Sequence, residues 1–209
     1  MARLITGLDV ARVRENAARI REEIGEAELL AAVKYVPVEE LEILAEAGVT
    51  LLGENRAQDL VAKAQAHPGT FRWHFIGQLQ SRKVKDVLPY VELIHSVASD
   101  SALRQLARHG DPGTEVLVEV DVAGEEGKAG IAPSELGAFI ERCPVKVTGL
   151  MTMPPFATDP EESRPHFAAL RELAREHGLH HLSMGTSQDY RVAAQEGATI
   201  VRIGTSLYE

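Results

Sequence analysis

The sequence predicts an α/β protein that forms a single (β/α)8 barrel of the TIM type with an extra N-terminal helix. Eight short apolar segments, rich in β-branched residues, alternate with segments whose apolar residues have helical spacing. Strands separated by helices pair in parallel, because each helix supplies the crossover. Eight such strands favour a closed barrel over an open sheet. No Gly/Ser-rich linker interrupts the alternation, so residues 1–209 are predicted to be one domain.

The extra helix is predicted over residues 7–25, before the first strand. Its apolar residues recur at steps of three and four and are Val10, Val13, Ala17, Ile20 and Ile24. Arginines and glutamates occupy the positions between them, which predicts a helix with one packed face. We expect this helix to cover the barrel wall that would otherwise lack a helix after the eighth strand.

Strands and helices then alternate along the chain. The predicted strands are residues 29–33, 49–52, 72–76, 91–95, 115–120, 145–150, 181–183 and 199–203. The predicted helices are residues 38–47, a segment ending near 66, a segment beginning near 81, stretches after the fourth and fifth strands, 161–177 and 188–196. Pro37 just before the first of these helices and Gly48 just after it are typical of helix ends.

Composition excludes several classes of partner and site. Hydrophobic residues make up 44% of the 209 residues and charged residues 25%, which is typical of a globular protein. The formal net charge of -9 argues against nucleic acid as a partner. Cys143 is the only cysteine, so the chain has no internal disulfide and no cysteine-rich zinc site. Neither a signal peptide nor a membrane-spanning run is recognisable, so we expect a cytoplasmic protein without a membrane partner.

One lysine stands out at the end of the first predicted strand. The stretch 29–37 reads L-L-A-A-V-K-Y-V-P and delivers Lys34 at the C-terminal edge of a buried strand. An amine held there is expected to be partly desolvated, which favours its neutral form and suits Schiff-base chemistry with an aldehyde. The alternative is an ordinary strand-end lysine whose ammonium extends into water.

In barrels the active site lies at the C-terminal ends of the strands. Other polar residues of this chain are predicted at the same ends as Lys34. The residues at these ends are Lys34, Glu54, Asn55, His74, Gln78, Ser96, Asp121, Met151, Thr152, Gly185–Ser187 and Arg202–Ser206. The loops Gly185-Thr186-Ser187 and Gly204-Thr205-Ser206 follow the seventh and eighth strands, where barrels often bind a phosphate.

Arg202 lies in T-I-V-R-I, a strand that should be buried. A buried guanidinium needs a partner because it cannot lose its proton. That partner is either an internal carboxylate, Glu54 or Asp121, or an acceptor on a ligand, such as a ring nitrogen or a phosphate. An amine for an aldehyde, a phosphate cradle and a fixed cation together suggest pyridoxal 5′-phosphate as the cofactor.

In these residues and in the segments around them, the chain resembles the pyridoxal phosphate homeostasis protein family, whose members are relatives of the barrel domain of alanine racemase. The matching segments are A-V-K-Y-V-P at 32–37, L-G-E-N-R-A-Q-D at 52–59, W-H-F-I-G-Q-L-Q at 73–80, G-K-A-G-I at 127–131, G-L-M-T-M at 149–153, L-S-M-G-T-S-Q-D at 182–189 and V-R-I-G-T at 201–205. Thr186 and Arg56 depart from the pattern, since the family often has Met and Tyr there, and the end after Leu207 differs from the usual Phe-Gly.

The resemblance implies a role for each matching position. Lys34 would carry the cofactor as a Schiff base. Asn55 and His74 would border the cofactor ring, with Met184 also near it. The implied phosphate ligands are Ser187, Gly204 and Thr205. Arg202 would face the pyridine nitrogen or the phosphate.

The preferred functional hypothesis is a protein that holds the cofactor in intracellular vitamin B6 homeostasis without efficient catalysis, with amino acids and apo-enzymes as further partners. An arginine beside the pyridine nitrogen keeps that nitrogen unprotonated and weakens the ring as an electron sink. Racemisation also needs a second acid or base on the opposite face of the substrate. The related racemase takes that tyrosine from a further domain, which we do not expect here, although Tyr35, Tyr90, Tyr190 and Tyr208 are available.

Other assignments remain open. A pyridoxal phosphate-dependent amino-acid racemase is the alternative function, and a more remote one is a sugar-phosphate aldolase that uses Lys34 on a substrate carbonyl. Lys128 is either a second amine near the rim or, as for most loop lysines, solvated. His177, His180 and His181 cross from a helix end into a strand and cannot be assumed to converge, so no metal site is predicted.

Overall fold

A computed structural model describes residues 4–125 and 127–209. Eight parallel strands form a closed barrel in chain order, and β1 also pairs with β8 to complete the ring. The strands are β1 (Glu28–Ala32), β2 (Leu51–Glu54), β3 (Arg72–Phe75), β4 (Leu93–Val97), β5 (Glu115–Glu119), β6 (Lys146–Met151), β7 (His181–Thr186) and β8 (Ile200–Ile203). The predicted (β/α)8 barrel is therefore confirmed.

Helices and short 3-10 turns connect consecutive strands. The helices are α1 (Val10–Ile24), α2 (Leu41–Glu46), α3 (Ala57–Ala66), α4 (Val84–Val87), α5 (Asp100–His109), α6 (Leu136–Glu141), α7 (Arg164–Glu176), α8 (Tyr190–Gln195) and α9 (Thr205–Tyr208). The 3-10 turns are Val38–Glu40, Ser81–Lys83, Leu88–Tyr90, Pro133–Glu135 and Pro160–Ser163. The sequence did not predict α9, since the last residues read as a loop.

The extra helix α1 lies against β1, α8 and α9, on the part of the wall where the ring closes. Asp9 caps its start, accepting a hydrogen bond from the backbone N–H of Arg12 at 2.8 Å. Gly25 follows its end with a φ of 61°, in the left-handed region that favours glycine. The predicted packed face is the buried one, because Val13, Ala17, Ile20 and Ile24 are all buried.

The apolar core has two layers because strand side chains alternate between the helices and the barrel interior. The outer layer fills the space between barrel and helices. The inner cluster consists of Leu30, Leu51, Leu93, Leu117, Met151 and Ile200. The residue two positions after a member of this inner cluster also faces the barrel interior, and it lies nearer the C-terminal rim. The apolar inner layer therefore supports a more polar one that includes His95, Glu119 and Arg202.

Two strand boundaries differ from the prediction in ways that matter for the site. β4 begins at Leu93, after the 3-10 turn Leu88–Tyr90, and continues to Val97, two residues beyond its predicted end. β7 extends to Thr186, three residues beyond its predicted end. Among the described residues, no helix is both long enough and apolar enough to cross a bilayer.

Candidate functional site

A cavity of about 450 Å³ opens at the C-terminal ends of the strands. Its volume lies within the usual range of small-molecule sites, roughly 300–1,000 Å³. Six of the eight predicted cofactor residues line it, and they are Lys34, Asn55, Ser187, Arg202, Gly204 and Thr205. The barrel thus brings the lysine from one end of the chain together with the arginine and the glycine-serine loops from the other end.

Lys34 lies two residues beyond β1, and its side chain is exposed on the cavity wall. Its Nζ is 4.7 Å from the centroid of the Tyr35 ring, within the range of a cation–π contact. Lys34 also lines a neighbouring cavity of about 600 Å³. The expectation of an amine desolvated by the strand is therefore wrong, because the chain leaves β1 before Lys34. What the structure provides is an accessible amine at the rim.

Buried contacts fix the backbone just before Lys34. Lys63 of α3 donates from Nζ to the Val33 carbonyl at 2.6 Å and to Glu54 Oε2 at 2.6 Å. The Tyr208 hydroxyl donates to the Ala32 carbonyl at 3.1 Å, and burial raises the pKa of this phenol. These contacts join the end of β1 to β2 and to the last helix, so the base of the Lys34 side chain is held in place.

Lys63 and Tyr208 were not predicted as parts of the site. The sequence does contain a signal for Lys63, which continues the buried positions Ala57 and Leu60 of α3 at steps of three residues. A lysine on the packed face of a helix needs a buried partner. That partner is Glu54, at the end of the neighbouring strand.

Asn55 lies on the cavity wall and carries an unsatisfied polar atom. Its Oδ1 is buried and accepts no hydrogen bond from any residue that the structure describes. Glu54 Oε1 accepts from the Asn55 backbone N–H at 2.7 Å and fixes the backbone there. A Cβ on Gly77 would lie 2.0 Å from the Asn55 carbonyl oxygen, so only glycine allows the ends of β2 and β3 to approach this closely.

Arg202 is held by neutral acceptors rather than by a carboxylate. Its Nη1 donates to the Ser183 carbonyl at 2.7 Å and to Ser183 Oγ at 2.5 Å. Its Nη2 donates to the Thr152 carbonyl at 2.9 Å and to Met153 Sδ at 3.0 Å. Burial lowers the pKa of Arg202 to about 10, while the charges of Glu119 and Asp189 oppose this shift.

The predicted internal partners of Arg202 are both wrong. Glu54 faces outward and pairs with Lys63. Asp121 accepts a hydrogen bond from the Gly124 backbone N–H at 3.0 Å. Within residues 4–125 and 127–209, no carboxylate lies within 4.0 Å of the guanidinium. Only the N–H on Nε has no acceptor among the described residues. A ligand as partner of Arg202 stays a prediction.

A chain of hydrogen bonds runs from Arg202 to two histidines in the barrel interior. Ser183 Oγ lies 2.8 Å from His95 Nδ1, and His95 Nε2 lies 3.0 Å from His74 Nδ1. Because Ser183 Oγ accepts from Arg202, its own proton points to His95 Nδ1. His95 then carries its proton on Nε2 and donates it to His74. Burial lowers the pKa of His74 to about 3 and that of His95 well below its usual range, so both rings are neutral.

Two of the predicted ring contacts do not line the cavity. His74 lies below its wall, against His95, with the ring centroids 5.0 Å apart. Met184 is fully buried in the outer layer between barrel and helices. It faces outward because β7 continues through it and Leu182, two positions earlier, is also outward. His95 and Ser183, which the sequence analysis missed, occupy the interior instead.

The loops after β7 and β8 are joined by one serine. Ser187 Oγ accepts from the backbone N–H groups of Gly204 at 3.0 Å and Ser206 at 3.3 Å. Asp189 Oδ1 accepts from the Thr186 backbone N–H at 2.8 Å and holds the first loop. A Cβ on Gly204 would meet no atom within 4 Å, so the space beside these N–H groups is open. Because Ser187 Oγ accepts from both N–H groups, its own proton is available to a ligand, and small residues, a hydroxyl donor and open space together suit an anion.

Glu119, the last residue of β5, was also missed as a member of the site. It lines the cavity and is only partly exposed. Burial raises the pKa of its carboxyl group, while the charges of Arg202 and Lys128 oppose this shift. The sequence did contain a signal for Glu119. It lies two positions after Leu117 in the same strand, so both side chains face the barrel interior.

The remaining candidates lie outside this cavity. Lys128 forms an ion pair with Glu125 and is not among the residues on the cavity wall. The described residues contain no group of three or more His, Cys, Asp or Glu arranged to hold a metal ion, and this includes His177, His180 and His181. Of the two family departures near the rim, Thr186 lines the cavity and Arg56 lines the neighbouring one.

The chain is similar to proteins of known family. Residues 8–209 match the family model described as alanine racemase, N-terminal domain. A pyridoxal phosphate homeostasis protein of Aquifex aeolicus is 42% identical over 217 residues, covering 95% of each chain. One of Pseudomonas aeruginosa is 35% identical over 208 residues, covering 95% of this chain and 90% of that protein. The solved structure of PipY from Synechococcus elongatus with PLP bound superimposes with a TM-score of 0.82 at 30% identity, covering 94% of this chain and 100% of that chain.

Proposed function

This chain belongs to the pyridoxal phosphate homeostasis protein family, and we propose that it holds pyridoxal 5′-phosphate as a Schiff base on Lys34. In this role the protein acts in intracellular vitamin B6 homeostasis and does not turn over a substrate efficiently. The observation that carries the proposal is that Lys34, Arg202 and Ser187 line one cavity. PipY, with PLP bound, has the same fold at 30% identity.

The residues present fit this cofactor. Asn55 Oδ1 is a buried acceptor that a hydroxyl on a ligand ring would satisfy. The open space at Gly204 lies beside Ser187, whose hydroxyl accepts from the Gly204 and Ser206 N–H groups and keeps its own proton to donate to a phosphate. When bound, the cofactor supplies an aldehyde that condenses with amines and a conjugated ring that absorbs visible light. Lys34 binds this aldehyde, while Ser187, Gly204 and Thr205 hold the phosphate.

Arg202 orients the ring and limits its chemistry. Four of its five N–H groups are bound to Ser183, Thr152 and Met153, and the N–H on Nε has no acceptor among the described residues. With a pKa of about 10, the guanidinium stays protonated at neutral pH and donates rather than accepts. Arg202 would face the ring nitrogen and keep it unprotonated, so that the ring would be a weak electron sink.

The alternative function is a pyridoxal phosphate-dependent amino-acid racemase. Tyr35 lines the cavity with Lys34, so one of the four tyrosines is in reach of a bound substrate. Purified, loaded protein is incubated with single amino-acid enantiomers, and their optical purity is followed. The proposed carrier leaves each enantiomer unchanged. Racemisation that Lys34→Ala abolishes would overturn the carrier in favour of the racemase.

The proposed location is the cytoplasm, and the proposed partners are the cofactor, amino acids and apo-enzymes that receive it. A single cysteine, Cys143, suits a reducing compartment. The formal net charge of -9 does not favour nucleic acid.

One absorbance spectrum tests the proposed cofactor. We expect purified protein reconstituted with pyridoxal 5′-phosphate to be yellow, and borohydride to fix the chromophore on Lys34, as located by peptide mass. Lys34→Ala should lose the chromophore. Lys128→Ala, a lysine outside the cavity, is the matched control and should retain it. A colourless wild-type protein would contradict the proposal and would favour the aldolase alternative.

A further inference from the structure

Of the residues that the structure describes on the cavity wall, Glu119 is the one with a carboxylate. In the closed ring, β5 lies opposite β1, so Glu119 faces the rim across the barrel from Lys34. Its backbone is fixed on both sides, since its carbonyl accepts from the Ile131 N–H at 2.8 Å and it pairs with Met151 of β6. Leu117, two positions earlier, belongs to the inner apolar cluster, which turns Glu119 to the interior.

No described residue satisfies this carboxylate. Among residues 4–125 and 127–209, no side chain or backbone N–H donates to it, and no cation lies within 4.0 Å. The Glu119 side chain is only partly buried and lies on the wall of an open cavity, so its oxygens take their hydrogen bonds from water or from a ligand. A carboxylate left without a donor on the wall of a ligand cavity is therefore positioned for a donor on a ligand.

Among the described residues, few charged or polar groups lie around Glu119. The cations are Arg202 from β8 and Lys128 from the following loop, and both lower the pKa of its carboxyl group. Across the cavity, β1 is followed by Lys34. The flanking strands contribute Ser96 and Met151 to the wall, and the two buried histidines below are neutral. Burial outweighs the two cations and leaves the pKa raised.

We propose that Glu119 is the proton-transfer residue that allows an incoming primary amine, such as the α-amino group of an amino acid, to displace Lys34 from the cofactor. This inference rests on the proposed function. A carrier must release its cargo, and an amine that arrives as an ammonium cannot attack until it loses a proton. Among the described residues on the cavity wall, Glu119 is the only carboxylate, and as an anion it attracts that cation and accepts its proton.

The proposed step balances without an external reagent. The carbon is held in a protonated imine before and after the exchange. The incoming ammonium gives one proton to Glu119, and its nitrogen then bonds to the imine carbon as the double bond from that carbon to Lys34 Nζ becomes a single bond. Glu119 passes this proton to Nζ and accepts a second proton from the incoming nitrogen. The bond between the carbon and Nζ then breaks as the double bond to the incoming nitrogen forms, and Nζ takes the second proton from Glu119. One C=N bond replaces another, two protons have moved from the incoming nitrogen to Nζ, the carboxylate is regenerated, and no oxidation state changes.

The test measures exchange at Lys34 separately from binding there. Wild-type protein and Glu119→Gln are loaded with pyridoxal 5′-phosphate, and loading is checked by the visible spectrum and by borohydride fixation on Lys34. L-alanine or ethylamine is then added, and the change in the bound chromophore gives a rate constant as a function of pH. Glu115→Gln is the matched control, because Glu115 pairs with Lys146 at the opposite end of β5.

We expect Glu119→Gln to load as the wild type does but to exchange more slowly by about 10²-fold, the usual size of a proton-transfer contribution. The ratio of the two rate constants cancels the titration of the added amine, and it should fall towards one at low pH, where Glu119 is protonated. Glu119→Asp should recover part of the rate, and Glu115→Gln should match the wild type.

Equal rate constants and equal pH profiles for loaded wild type and Glu119→Gln would overturn the role of Glu119 while leaving the proposed function intact. A wild-type protein that forms no chromophore would instead overturn the proposed function, and the role of Glu119 with it.

Discussion

The ammonium of Lys63 and the carboxylate of Glu54 form a buried ion pair, with Nζ 2.6 Å from Oε2. Their side chains are 6% and 0% exposed. The pair joins α3 to the end of β2 and, through the Val33 carbonyl, to the residue before Lys34. Lys146 and Glu115 form a second pair at the same 2.6 Å distance, but their side chains are 65% and 35% exposed. The two ion pairs therefore have the same N–O distance, but one is buried and the other is exposed.

Removing the buried lysine should destabilise the protein far more than removing the exposed one. Lys63→Met leaves Glu54 buried without its cation, which costs about 3–5 kcal/mol in the free energy of unfolding. Lys146→Met removes a pair whose type contributes about 0–1 kcal/mol. Urea unfolding of the wild type and both variants measures the difference. Equal losses in the two variants would contradict a structural role for the buried pair.

Ser183→Ala should be costly because it removes a hydroxyl with partners on both sides. His95 Nδ1 and one N–H of Arg202 then lose their partner in a buried environment, a loss of about 1–3 kcal/mol for each neutral group. Thr148→Val is the matched control, since Thr148 Oγ1 is buried and has no partner among the described residues. We expect thermal unfolding to show a clear loss for the first variant and none for the second. A destabilised Thr148→Val would argue against this reading.

The buried histidines should make stability depend on pH. The pKa of His74 is lowered from 6.5 to about 3, so the unfolded chain binds a proton before the folded one does. The contribution of each buried histidine to the free energy of unfolding should therefore be complete above pH 6.5. It should decrease by about 1.4 kcal/mol per pH unit as the pH falls from 6.5 towards 3. Urea unfolding across this range should show a smaller slope for His95→Asn than for the wild type. His109→Asn, at an exposed histidine, should keep the wild-type slope.

Ser187→Ala should weaken binding of the phosphate more than binding of the aldehyde. Without Oγ, the N–H groups of Gly204 and Ser206 lose the acceptor that positions them. We expect the affinity for pyridoxal 5′-phosphate to fall by about tenfold, as for one lost charge-assisted hydrogen bond. Pyridoxal, which lacks the phosphate, should bind wild type and variant alike in an absorbance titration. An equal loss for both compounds would place Ser187 outside the phosphate site.

Much of the fold could be predicted because it depends on pattern rather than on detail. The alternation of apolar strands and helices determines the parallel barrel, and the barrel alone brings Lys34, Arg202 and the two glycine-serine loops to one rim. That prediction does not require the strand ends to be accurate. The assignment of residues 1–209 to one domain stays a prediction.

The parts that could not be predicted depend on single-residue register. A strand side chain changes face with each position, so the end of β7 decides whether Met184 faces the interior or the helices. The same uncertainty in β4 concealed His95. Lys63 was missed for another reason, because its partner Glu54 becomes visible only when α3 is packed against the barrel.

The continuous ring from β1 to β8 leaves the barrel without an edge strand. Each of the eight strands has a neighbour on both sides, so the sheet offers no row of open amide and carbonyl groups to which a second chain could add. These pairings join backbone groups of neighbouring strands and do not run through the rim where we propose that the cofactor binds. Under the proposed carrier role, loading and release therefore need not expose a template for fibril growth.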